Sequence, residues 1–99
     1  MILIRNAFQL KFGKARDAVA IWKDGIARMK KMGLSAPTRL LTDLTGSSYT
    51  LIFEETFENL AAYEQDMKSI MGTDEWKEWY QQFIPLCESG YREILTIVE

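Results

Sequence analysis

Residues 2–10 alternate, with Ile2, Ile4, Asn6, Phe8 and Leu10 on one side and Leu3, Arg5, Ala7 and Gln9 on the other. A period of two predicts a strand. Gly13 breaks the run, after which Ala15, Ala18, Val19, Trp22, Ile26 and Met29 recur at the three-and-four spacing of an amphipathic helix, with Gly33 placed to cap its C-terminus. Pro37 opens a second extended run from Thr38 to Leu44. The turn Thr45-Gly46-Ser47-Ser48 then leads into a third, Tyr49 to Glu55, and the short polar turn makes the pair an antiparallel hairpin. Thr56 is the expected N-cap of a helix carrying Phe57, Leu60, Ala61, Tyr63, Glu64, Met67 and Ile70 and ending at Gly72. Thr73 caps another helix, with Asp74 and Glu75 at the positive end of its dipole and Trp76, Trp79, Tyr80, Phe83 and Ile84 on one face. Pro85 kinks or ends that helix, which places Cys87 near the end of a helical pattern. A closing strand runs from Tyr91 to Val98.

The order strand, helix, strand, strand, helix pair, strand is the split βαβ arrangement of a ferredoxin-like α+β domain. It predicts a single domain over residues 1–99, with a four-stranded antiparallel sheet. Right-handed crossovers put the helices on one sheet face and leave the other bare. On the first and last strands both sets of alternating positions carry Leu, Ile, Val or aromatic residues, more apolar than a solvated face requires. The expectation is a homodimer in which a second sheet covers that face and closes an α+β barrel.

Composition narrows the partners. Of the 99 residues 47% are hydrophobic, enough for a packed core, and twelve basic against fourteen acidic residues leave a net charge of -2 with no long block of like charge. The cluster Arg28, Lys30, Lys31 is a solvated helix end rather than a phosphate-binding footprint, so no nucleic acid is expected. Arg5 and Asn6 interrupt the apolar start before it reaches the length of a signal core, and no transmembrane segment is expected. A lone cysteine, Cys87, has no intrachain partner and points to a reducing compartment, with cytoplasm the expected location.

Candidate chemistry is sparse. The chain has no histidine, which excludes an imidazole base, a Ser-His-Asp triad and a His-bearing zinc site. Gly13-Lys14-Ala15 lacks the upstream glycine and the following hydroxyl of a phosphate loop. Asp74 and Glu78, one helical turn apart, repel each other and read as a solvated face rather than a metal site or an acid–base pair. Arg39 and Arg92 lie on strand faces, where pairing with Glu54 and Glu93 is the expected role and an anionic ligand the alternative. Asn6 is the polar exception among Ile2, Ile4, Phe8 and Leu10, and a buried amide needs partners. Trp22, Trp76, Trp79, Tyr80 and Phe83 either fill the core or line a cavity between sheet and helices in which a flat organic molecule would stack.

Over its whole length the chain resembles the dimeric α+β barrel superfamily. The resemblance is carried by Lys11-Phe12-Gly13-Lys14, Tyr49-Thr50-Leu51-Ile52-Phe53-Glu54 and Phe57-Glu58-Asn59-Leu60-Ala61-Ala62-Tyr63, together with Trp76-Lys77-Glu78-Trp79 and Gly90-Tyr91-Arg92-Glu93-Ile94-Leu95. These segments look most like the NIPSNAP-like branch, whose relatives include antibiotic-biosynthesis-type and heme-degrading monooxygenases. The resemblance implies a substrate-holding asparagine on the first strand, at Asn6, beside a tryptophan or tyrosine from the helices at Trp76, Trp79 or Tyr63. The heme enzymes ligate iron through a histidine this chain lacks, which argues against heme turnover. The expectation is a non-catalytic homodimer that binds a small apolar or aromatic ligand or a partner, with Asn6, Trp22, Tyr63, Trp76, Trp79 and Tyr80 as ligand-binding residues and no cofactor or metal. The alternative is a monooxygenase without metal or flavin, in which an aromatic or polyketide-like substrate itself reduces oxygen while Asn6, Trp79 and Tyr80 orient it.

Overall fold

The computed structural model describes residues Met1–Glu99. Strand β1 (Ile2–Leu10) leads into helix α1 (Ala15–Lys31), then the hairpin β2 (Thr38–Thr42) and β3 (Thr50–Phe57). Helices α2 (Leu60–Met71) and α3 (Asp74–Phe83) follow, and β4 (Cys87–Thr96) closes the chain. The four strands form one antiparallel sheet in the order β2-β3-β1-β4, the ferredoxin-like α+β arrangement expected from the element order. No helix is long and apolar enough to cross a membrane.

Three boundaries differ from the sequence reading. Thr56 does not cap a helix: strand β3 continues through Thr56 and Phe57, pairing with Leu3 and Ile2. Thr56 N–H also donates to the Pro37 carbonyl at 3.1 Å. Asn59 is the cap instead, its extended backbone presenting Oδ1 to the Ala62 N–H at 2.9 Å. Asn59→Ala should cost about 1 kcal/mol, measurable by urea unfolding. Strand β2 stops at Thr42, so Leu44 lies almost wholly in solvent within the turn. Strand β4 starts four residues earlier than expected, because a single 3₁₀ turn at Ile84–Leu86 containing Pro85 redirects the chain. Cys87 is therefore the first residue of a strand and not the tail of a helix.

Other punctuation is as expected. Thr73 Oγ1 accepts from the Trp76 N–H at 3.1 Å and starts α3. Gly33 follows α1 at a positive φ of 109°, which glycine adopts without a Cβ penalty, and its N–H donates back to the Lys30 carbonyl.

Register decides the two sheet faces. Ile4 pairs with Glu55 and Ile94, Asn6 with Phe53 and Arg92, and Phe8 with Leu51 and Gly90, so these residues all face the helices. On that side Trp22 of α1 sits at the centre of an aromatic core, its ring centroid 4.7 Å from Phe53, 4.8 Å from Trp79 and 5.5 Å from Phe83. Each well-oriented aromatic pair adds about 1 kcal/mol beyond the area it buries. The opposite face carries Leu3, Ala7, Leu41, Ile52, Tyr91 and Leu95, with no helix over it. One row of charges crosses this apolar face from edge to edge, Arg39, Glu54, Arg5 and Glu93 in alternating sign on four adjacent strands. Glu54 is buried between the two arginines, accepting from Arg5 Nε at 2.8 Å and Arg39 Nε at 3.1 Å. Burial works against its ionisation, but the hydrogen bonds from Arg5 and Arg39 win and hold its carboxyl below the usual range.

Candidate functional site

A cleft of about 710 Å³ opens between the helix-facing side of the sheet and α2 and α3. Its floor is Asn6 and Phe8 of β1 with Phe53 and Glu55 of β3, and β4 borders it from Cys87 to Arg92. All six residues proposed from sequence, Asn6, Trp22, Tyr63, Trp76, Trp79 and Tyr80, line this one cleft, although they come from four different elements. Their roles separate. Trp22 and Trp79 are almost fully buried and form its back wall as part of the core. The indole N–H of Trp79 donates to the Ile21 carbonyl at 2.7 Å, so it is committed to the backbone and has no hydrogen bond to offer in orienting a substrate. Trp76 and Tyr80, one helical turn apart on α3, stack nearly parallel at 14° with Tyr80 substantially exposed, and they present aromatic surface at the cleft wall.

The polar groups gather on the β1–β3–β4 floor. Asn6 Oδ1 accepts from Arg92 Nε at 3.0 Å, the two being cross-strand partners. Arg92 was expected to pair with a carboxylate such as Glu93, but Glu93 points to the opposite face, where it meets Arg5. Arg92 instead lies over the Tyr63 ring, 5.9 Å from its centroid, and no carboxylate lies within salt-bridge distance of it.

Glu55 is the residue the sequence analysis missed. Only 2% of its surface is exposed, and Oε2 has no hydrogen-bond partner. Burial, reinforced by the charge of Asp66 and opposed by Arg92, pushes its carboxyl up to about 7. The same burial raises the Tyr63 phenol, with Arg92 opposing and Glu55 adding to the shift. The signal was present in the alternation of β3: Leu51, Phe53, Glu55 and Phe57 share one parity, so a carboxylate had to face the helices alongside three large apolar side chains. A second buried polar atom without a partner is Trp22 Nε1. One orphan acceptor and one orphan donor thus both belong to residues lining the cleft.

Elsewhere the chain offers little chemistry. No three His, Cys, Asp or Glu side chains gather where they could hold a metal ion. Cys87 is partly buried at the cleft border, and burial pushes its thiol up, away from the thiolate a nucleophile needs.

No protein-family model matches the sequence, and no curated protein does. Solved structures do match. An uncharacterized NIPSNAP domain protein from Burkholderia xenovorans superposes with a TM-score of 0.88 at 15% identity, over 99% of this chain and 95% of that one. A NIPSNAP family protein from Agrobacterium tumefaciens gives 0.85 at 16% identity, over 96% and 90%. A cofactor-independent oxygenase from Streptomyces nogalater gives 0.76 at 9% identity, over 99% and 93%. Identities this low speak for architecture alone. The chain therefore has the α+β fold common to NIPSNAP-domain proteins and antibiotic-biosynthesis monooxygenases.

Proposed function

We propose that this protein is a homodimer that binds a small, flat, largely apolar organic ligand in the cleft between sheet and helices, without transforming it. The observation that supports this most is that one cleft brings an aromatic wall, Trp76 and Tyr80, together with the polar side chains of Asn6, Glu55 and Arg92. An apolar, aromatic-lined cleft with a few convergent polar groups is the usual form of a small-molecule site. Trp76 and Tyr80 offer stacking surface, while Asn6 and Arg92 offer a polar anchor at the floor. The direct test is titration of the protein with a panel of bicyclic and tricyclic aromatics, following quenching of the tryptophans that form the wall. Trp76→Ala should weaken any compound that binds by about tenfold, the scale of one lost aromatic contact. A panel that leaves the tryptophan emission unchanged at millimolar concentration argues against the reading.

Dimerisation is proposed on the apolar face that no helix covers. Ile52 lies near the middle of that face, paired with Ala7 on one side and Leu41 on the other. Ile52→Arg should convert the dimer to a monomer in light scattering, because it buries an unpaired charge against the facing sheet. A wild-type chain already monomeric at high concentration removes this part of the proposal.

The alternative reading, a monooxygenase without metal or flavin acting on an aromatic or polyketide-like molecule, is supported by the architecture shared with the Streptomyces nogalater oxygenase. It is also supported by Glu55, a buried carboxyl able to take a proton from a bound substrate near neutral pH. An oxygen electrode run on each compound that binds separates the two readings: steady oxygen uptake that requires the protein favours the oxygenase, and none favours the binding protein.

A further inference from the structure

If the cleft is a ligand site, as proposed above, its floor says what kind of ligand it takes. Four charged side chains line the cleft: Glu55 of β3, Lys77 of α3, and Glu88 and Arg92 of β4. Arg92 spends Nε on Asn6, and none of its other guanidinium N–H groups has a hydrogen-bond partner or a carboxylate within salt-bridge distance. Glu55 and Arg92 share the helix-facing side of the sheet, on the two strands that flank β1 and one row apart. They are nevertheless not paired. Arg92 is exposed to solvent on β4, with β1 between it and the buried Glu55 on β3. Here the arginine is held by Asn6 and Tyr63 instead, and the carboxyl is left in the surroundings that suit its neutral form. With Glu55 neutral the cleft carries one net positive charge, from Lys77 and Arg92 against Glu88, and Glu55 offers an O–H to whatever sits between it and Arg92.

We propose that the polar floor of the cleft recognises the carboxylate of a flat aromatic acid, held between Arg92 and the protonated carboxyl of Glu55. The carboxylate oxygens accept from the free guanidinium N–H groups and from the Glu55 O–H, a charge-assisted pattern stronger than neutral hydrogen bonds. The rings lie along Trp76 and Tyr80. The only bond that forms is the O–H of Glu55: above neutrality, where the free carboxyl is ionised, it takes one proton from the buffer on binding and gives it back on release, and near pH 6 it already holds that proton. The ionisable groups facing Glu55 are Asp66 and Tyr63 of α2 and Arg92 of β4, and the neighbours from β1 and β2, Ile4, Asn6 and Thr38, do not titrate. Asp66 favours the proton on Glu55, and the incoming carboxylate favours it further.

The two other ligand types such a floor could meet predict different pH behaviour. A cation would bind the ionised Glu55 and gain affinity as pH rises, whereas a neutral hydroxyl compound, which the amide oxygen of Gln can still accept from, would bind Glu55→Gln and Arg92→Met about as well as the wild type. The test titrates 2-naphthoate and, as a neutral isostere, 2-naphthamide into the full chain from pH 6 to pH 9, by tryptophan quenching. Because the naphthoate stays ionised throughout, its affinity for the wild type should be level near pH 6 and fall by about tenfold per pH unit above neutrality. Glu55→Gln, which keeps a neutral donor in place, should bind naphthoate throughout with no pH dependence, and Arg92→Met should weaken naphthoate by tenfold or more while leaving naphthamide nearly unchanged. Calorimetry of the wild type at pH 8 in two buffers of different ionisation enthalpy should show close to one proton taken up per naphthoate, a reading that does not depend on any variant folding. A level wild-type profile, a slope that persists in Glu55→Gln, no proton uptake, or naphthamide binding as tightly as naphthoate at pH 6 would each overturn the proposal. Naphthamide binding alone would leave the cleft as a ligand site but not one for acids, and failure of both probes would remove the ligand site as well.

Discussion

Glu55→Gln should stabilise the free protein at pH 8 by about 3 kcal/mol and leave its stability near pH 4 unchanged, compared by urea unfolding at the two pH values. The carboxyl ionises at about 7 in the folded chain against a reference value of 4.5. In the native state it therefore keeps its proton across a range where the unfolded chain has already released it. Below pH 4.5 both states are protonated and the group contributes no difference. As pH rises from 4.5 towards 7 the unfolded state is progressively favoured, and above 7 the full penalty for a buried charge is in place. A raised acid thus costs stability with rising pH, the opposite of a salt-bridged carboxylate such as Glu54, whose depressed value adds stability that is lost on acidification. Gln at position 55 keeps the shape, removes the charge and should abolish that segment of the pH profile. An equal gain at both pH values would mean that the effect is packing rather than ionisation, and would place Glu55 in contact with water.

Gly25→Ala should destabilise the protein by about 1–3 kcal/mol, although the change lies in the middle of a helix where Ala is normally better than Gly by about 1 kcal/mol. Gly25 lies on the buried face of α1 where Trp79 crosses it, and a Cβ built there would come within 2.3 Å of Trp79 Cε2 and 2.5 Å of Cζ2. No Cβ tolerates that approach, and Trp79 has little room to retreat. Its ring packs against Trp22, Trp76 and Phe83, and its indole N–H is tied to the Ile21 carbonyl. The sign of the effect should reverse once the ring is gone. Trp79→Ala alone costs about 3–5 kcal/mol, and in that background Gly25→Ala should become neutral or stabilising as helix propensity reasserts itself. A double-mutant cycle followed by denaturant unfolding measures the coupling directly. Additive effects would show that α1 and α3 do not meet through this glycine.

These two positions also show where sequence reasoning stopped. The helix α1 is legible from the spacing of Ala18, Trp22 and Met29, yet nothing local marks Gly25 as the point of closest approach to another helix. Glu55 could have been placed by the parity of its strand, but parity alone does not distinguish a carboxyl at a wet sheet edge from one that α2 and β4 enclose. Thr56 has the chemistry of a cap and is three residues from the true one, because pairing of β3 with β1 holds Thr56 and Phe57 extended against the local preference. Arg92 has the composition of a cross-strand ion pair, but its register puts Asn6 beside it and sends Glu93 to the other face.

What the sequence by itself determined is the order and kind of the elements, the apolar character of both sheet faces, the glycine and threonine punctuation of α1 and α3, and the set of aromatic residues around the cleft. Each of these follows from residues within a few positions of one another, where backbone geometry fixes which side chains share a face. What only the tertiary structure decided is which of those side chains are spent on the core, which polar atoms are left without partners, and that Asn6, Glu55 and Arg92 meet on one floor although up to 86 residues separate a bonded pair among them. Partner identity depends on register between distant strands and on which helix covers which row. Those are long-range outcomes of packing, in which many local patterns are equally acceptable and a single arrangement buries the most apolar surface.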